Sequence, residues 1–113
     1  MADYPDKKPT LKYLNEALAS ALAVANTKRE FYDEQGVDSD ETAEVALLIC
    51  WWNGMYWYEV VANPEIIVIY PPFKTVWAEL LVGDNDYLDP KDLQAEIEEN
   101  IRNRRPCYDP DRR

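Results

Sequence analysis

A chain of 113 residues that is 47% hydrophobic and 30% charged has the length of one ordinary domain, enough to bury about two-thirds of the surface its unfolded form exposes. Its 12 basic and 22 acidic side chains, with no histidine, leave a formal net charge of −10, which opposes close approach to phosphate backbones and anionic lipids and so disfavours direct binding to DNA, RNA or membranes. Residues 1–9 lack the apolar segment of a secretory signal and no apolar run approaches the roughly 20 residues of a membrane span, so the expectation is a cytoplasmic protein.

In chain order, Thr10 precedes Leu11, Leu14, Leu18, Leu22 and Ala25. This three-to-four spacing lays one apolar stripe on a helix, and the alanines between favour helix intrinsically. Gly36 is placed to end it. The acidic stretch from Asp38 to Thr42 reads as a loop, although Asp38 and Glu41 also have the spacing of a helix capping box.

Val45 to Trp52 and Met55 to Ala62 are apolar, aromatic-rich runs separated by Asn53-Gly54. A type I′ turn needs positive φ at both central residues, which Asn tolerates and Gly adopts without steric cost, so the pair predicts a β-hairpin. The rival is one buried helix from Asp40 to Trp52 or beyond, supported by the capping spacing and by Ala43, Glu44, Ala46, Leu47 and Leu48. After Pro64, Glu65 to Tyr70 is a β-branched run of strand length closed by Pro71-Pro72. Phe73 to Val82 reads as a further strand, ending in the turn-like Gly83 to Asp86. Asp89-Pro90-Lys91-Asp92 then offers an N-cap, a proline at the first helical position and an acid in the first turn. Leu93, Ile97 and Ile101 continue that helix into Arg102, Arg104 and Arg105, and Pro106 stops it.

The expected fold is α+β: a small antiparallel sheet of three or four strands with a Trp-rich hairpin, packed with a long N-terminal helix and a C-terminal helix. One domain is expected over residues 1–113, with an N-terminal arm at 1–9 and an arginine-rich tail at 102–113. The tail leaves the preceding body more acidic than the total charge.

Nothing in the spacing points to catalysis, and no cofactor or metal is expected. Without histidine, acid–base chemistry would need a carboxylate, lysine, tyrosine or cysteine with a shifted pKa, such as Glu59 or Glu65, and no spacing points to a second catalytic group for either. Cys50, between Ile49 and Trp51, has the setting of a small core hydrophobe, and with Cys107 it has neither zinc-type nor CxxC spacing, so both thiols are expected to stay reduced. Phosphate-binding glycine motifs are missing, and the chain has three glycines in all. Asp84, Asn85, Asp86 and Asp89 resemble a calcium loop only in part: counting from Asp84, the required Gly and Glu positions hold Asp89 and Ala95.

Pairing across Asn53-Gly54 puts Cys50, Trp52, Met55 and Trp57 on one face and Ile49, Trp51, Tyr56 and Tyr58 on the other. A helix covers one face, so the second is left for loops or for a partner, and exposed Trp and Tyr are the material of interaction hot spots. Nucleic-acid stacking would need nearby Lys or Arg, and residues 38–63 contain none. The expected function is therefore non-catalytic protein binding: an inhibitor or adaptor occupying a basic surface of a nucleic-acid-processing protein, by analogy of class with phage-encoded inhibitors of host defence. Its contact residues would be Trp51, Tyr56, Tyr58 and Glu59 on the hairpin, with Asp38, Asp40, Glu41 and Glu44 in and beside the acidic loop. The alternative is a small-ligand binder with a pocket walled by Trp and Tyr, with a homodimer interface as one place to form it.

Overall fold

The computed structural model describes residues 4–36, 43–64, 75–83 and 88–109. Its elements are helix α1 (Leu11–Glu34), strands β1 (Val45–Trp52), β2 (Met55–Val61) and β3 (Thr75–Val82), and helix α2 (Pro90–Asn103). The strands form one antiparallel sheet in the order β2-β1-β3. This is the expected α+β arrangement, with three strands among the described residues. The strand anticipated from Glu65 to Tyr70 and the turn at Asp84 to Asp86 lie outside the described residues.

The Thr10 hydroxyl accepts from the Tyr13 amide at 3.1 Å, capping α1, and Gly36 follows the helix at φ 74°. The buried face of α1 differs in part from the leucine stripe. Leu14, Ala17, Leu18, Ala21 and Ala25 are buried, whereas Leu11 is exposed and Leu22 only half-buried. The alanines are contact residues as well as helix formers, because a row of methyl groups lets the helix backbone approach the sheet closely.

The hairpin reading holds and the single buried helix is overturned. Trp52 and Met55 flank the two-residue turn, with Asn53 at φ 55° and Gly54 at φ 80°. The run Val45 to Cys50 is apolar throughout because β1 is the central strand and is buried on both faces. Continuous hydrophobicity therefore marks two-sided burial here, where strict alternation would mark a half-exposed strand.

The two faces are unequal. Val45, Leu47 and Ile49 of β1, with Ala78 and Val82 of β3, form the main core with Leu14 and Leu18 of α1 and with Leu93 and Ile97 of α2. On the opposite face Leu48, Cys50 and Val76 form a smaller cluster, with Trp57 and Val61 against it. The register between β1 and β3 shifts between Ile49 and Cys50, which pair with Ala78 and Val76, so Trp77 is an extra residue on β3. This bulge turns Trp77 into the main core, where it is fully buried.

Helix α2 is capped as its sequence predicts: the Asp89 carboxylate accepts from the Lys91 amide at 2.9 Å, Pro90 opens the helix, and Arg104 ends it in the left-handed region at φ 52°. The chain then returns to the sheet. Cys107 donates its amide to the Val76 carbonyl at 2.7 Å, and the Val76 amide donates to the Tyr108 carbonyl at 2.9 Å. The start of β3 is thus covered on its outer edge.

Candidate functional site

The turn geometry of the hairpin and the position of α1 together decide which aromatic rings face inward. Trp51, Tyr56 and Tyr58 stand on the face that carries the helices, where they are half-buried and pack against the main core. Trp51 and Tyr56 meet edge to face at 4.7 Å between ring centroids, and Tyr13 of α1 meets Tyr58 at 5.9 Å. The hydroxyl of Tyr58 shares a 3.0 Å hydrogen bond with Ser20, also on α1. Tyr56 donates its hydroxyl to the Lys7 carbonyl, which fastens the N-terminal arm over the hairpin. Burial, and then the nearby Asp6 carboxylate, raise the Tyr56 phenol above its ordinary range, so it stays a donor.

The exposed surface lies on the opposite face. Trp52 is 47% exposed and Met55 62% exposed. They are direct partners across the turn, and Trp52 meets Trp57 edge to face at 6.1 Å. Trp57 donates its indole N–H to a Glu59 carboxylate oxygen at 3.3 Å. Of the contact residues expected from the sequence, Glu59 therefore shares a face with the exposed rings, and Trp51, Tyr56 and Tyr58 face the helices. Glu44 is exposed just before β1, and its carbonyl accepts from Lys28 at 2.8 Å. Lys28 also donates to the Ala62 carbonyl; burial lowers its pKa, and Glu44 works against that shift. Asp38, Asp40 and Glu41 lie outside the described residues.

Sequence reasoning passes over Trp52 and Met55 as contact residues. The alternation is legible, but alternation is the same whichever face a helix covers, so parity alone does not say which half is exposed.

A second feature is an open cleft of about 390 Å³ between the arm, the start of α1 and the hairpin, walled by Asp6, Lys7, Pro9, Tyr13, Trp51 and Tyr56. Beside it, the Tyr13 hydroxyl and the Trp51 indole N–H are buried without a hydrogen-bond partner among the described residues. Burial, then Cys50 and Tyr58, push the Tyr13 phenol up to about 12. Tyr13 and Trp51 thus line the cleft while their donor atoms are buried from solvent, and Lys7 and Lys8 line it as well. Another groove, of about 500 Å³, runs along α1 past Val24, Lys28, Phe31 and Tyr32 to Ala62.

Among the described residues no three His, Cys, Asp or Glu side chains are gathered to hold a metal. Cys50 is buried and Cys107 exposed, and the two are not joined in a disulfide. Cys107 is held above its ordinary pKa by desolvation and then by Glu96 and Glu79, which suppresses the thiolate. No helix among the described residues is long and apolar enough to cross a membrane. Comparison with protein-family models finds no match, and comparisons with curated proteins and with solved structures find none either.

Proposed function

We propose that this chain is a non-catalytic protein-binding module, an inhibitor or adaptor whose contact surface is the exposed tip of the β1–β2 hairpin. The observation that carries the reading is the juxtaposition of Trp52 and Met55, both large, both substantially exposed and paired across the turn. Trp and Met are enriched at the centres of protein interfaces, where truncating one anchor often costs about 2 kcal/mol or more of binding. The net charge of −10 favours a basic partner surface, of the kind carried by proteins that handle nucleic acids.

The test is affinity capture with the wild-type chain beside the double variant Trp52→Ala, Met55→Ala, after melts establish that both fold. A basic protein retained by the wild type and lost by the variant supports the reading. Equal retention by both removes the hairpin tip from the interface.

The cleft favours a second reading, small-ligand binding, through its aromatic lining and the two buried donors beside it that have no partner among the described residues. A ligand with an acceptor group on an aromatic body suits such a wall. Thermal-shift screening of aromatic carboxylates against wild type and Tyr13→Phe checks it: a compound that stabilises only the wild type supports the cleft.

A further inference from the structure

We propose that β2 is a self-association edge: two copies of this chain pair their β2 strands antiparallel about a twofold axis, with Tyr58 opposite Tyr58 of the second copy. The hairpin turn fixes the phase of the ladder. Residues flanking a two-residue turn form a hydrogen-bonded pair, and such pairs alternate with non-bonded ones along an antiparallel ladder. Trp52 with Met55, Cys50 with Trp57, Leu48 with Glu59 and Ala46 with Val61 are therefore the bonded pairs of β1 and β2. The main-chain N–H and C=O groups of Tyr56, Tyr58 and Val60 consequently point away from β1, along the outer edge of the sheet. No described strand adjoins that edge, whereas the start of β3 is taken by residues 107 and 108.

The three outward positions are symmetric about Tyr58. Antiparallel pairing on that centre sets Tyr56 against Val60 of the second copy, Tyr58 against itself and Val60 against Tyr56. All three are bonded pairs, and at two hydrogen bonds each they supply about six across the seam. On the outer face the same register sets Trp57 against Glu59 of the second copy and Met55 against Val61. Trp57 and Glu59 already bond within one chain, so the pair is chemically matched across the seam as well. No like charges oppose each other.

Of the devices that ordinarily block such pairing, the strand carries one charged side chain, Glu59. It contains no lysine and no proline, and its register with β1 runs without a bulge from Met55 to Val61. The opposing force is the charge of −10 on each copy, which is screened over about 8–10 Å at ordinary ionic strength. Self-association therefore strengthens with added salt, whereas binding to a basic partner weakens. The opposite salt responses separate this proposal from the reading of the hairpin tip as a partner-binding surface.

Sedimentation over a wide range of concentration, at low and high salt, reads the first consequence: a monomer–dimer equilibrium that shifts to dimer as salt rises. Cross-linking reads the register. In a Cys107→Ser background, Met55→Cys with Val61→Cys places two thiols in a non-bonded pair across the seam, while within one chain they lie about 20 Å apart along the strand. Mild oxidation should give a covalent dimer from the double variant and none from either single variant. The variant Val60→Pro, which removes an outward N–H while leaving the inner ladder, should sediment as monomer with an unchanged circular dichroism spectrum. A chain that stays monomeric under all conditions with no cross-link overturns the proposal. So does a dimer cross-linked by Met55→Cys alone, which would mean tip-to-tip contact.

Discussion

The side-chain amide of Asn100 in α2 donates 2.8 Å to the main-chain carbonyl of Trp77, the extra residue of the β3 bulge. A bulge leaves part of the ladder unpaired, and here a helix side chain supplies the missing donor. Lengthwise, the same bond fixes where α2 sits on the sheet, so the C-terminal helix and the irregularity in β3 are one arrangement. Replacing Asn100 with Ala should cost about 1–2 kcal/mol, because it strands a part-buried carbonyl. Thermal or urea melts check it; Asn100→Asp should be at least as damaging, since a carboxylate cannot donate.

Trp77 itself separates packing from polarity. Its ring is fully buried and meets Tyr4 edge to face at 5.6 Å, yet its indole N–H has no partner among the described residues. Trp77→Ala should remove about 3–5 kcal/mol, a large share of the roughly 5–15 kcal/mol that holds a domain together. Trp77→Phe should cost much less, because it gives up some volume while relieving an unsatisfied donor. Chemical denaturation of the two variants gives the comparison directly.

At the turn, Gly54→Val should destabilise by about 1–2 kcal/mol, since a β-branched residue resists positive φ. Nothing lies within 4 Å of the position a Cβ would take there, so the penalty is conformational strain alone. Gly54→Asn, which tolerates the left-handed region, should recover most of it in a thermal melt.

Trp51 and Trp52 are adjacent in sequence and opposite in environment, so their alanine variants should diverge. Trp51→Ala opens the aromatic packing over the helix face and should cost about 2–3 kcal/mol of stability. Trp52→Ala removes a ring that is 47% exposed, with its edge-to-face contact to Trp57, and should cost about 1 kcal/mol or less. Equal losses in paired melts would place both rings in the core.

Alkaline pH provides a further check. Tyr13 is pushed up to about 12 in the folded chain from the ordinary value of 10.0. Between those values the unfolded chain has released the phenolic proton and the folded chain keeps it, so stability is whole below about pH 10 and falls as pH rises toward 12. Tyr56, also raised, adds to the same loss. Tyr13→Phe should blunt the decline and, by removing a buried hydroxyl without a partner, leave stability at pH 7 unchanged or slightly higher. Denaturant midpoints measured from about pH 8 to 11.5 test both statements.

Local chemistry carries much of the fold. The Asp89-Pro90 cap, the Asn53-Gly54 turn and Thr10 at the head of α1 are each written in a few adjacent residues, because capping and positive φ depend on neighbours only. The alternation along β1 and β2 likewise separates Trp51, Tyr56 and Tyr58 from Trp52, Met55 and Trp57 by the two-residue period of a strand alone. Which set faces water is decided elsewhere: α1 docks on the Ile49 face through Leu14, Ala17 and Ala21, and a strand's own period is blind to the side on which a distant helix lands. The bulge at Trp77, the return of Cys107 and Tyr108 to β3, and the place of β2 at the edge of the described sheet belong to the same class. Each depends on pairing between segments far apart in the chain, where loop closure and mutual packing, rather than local propensity, choose the partner.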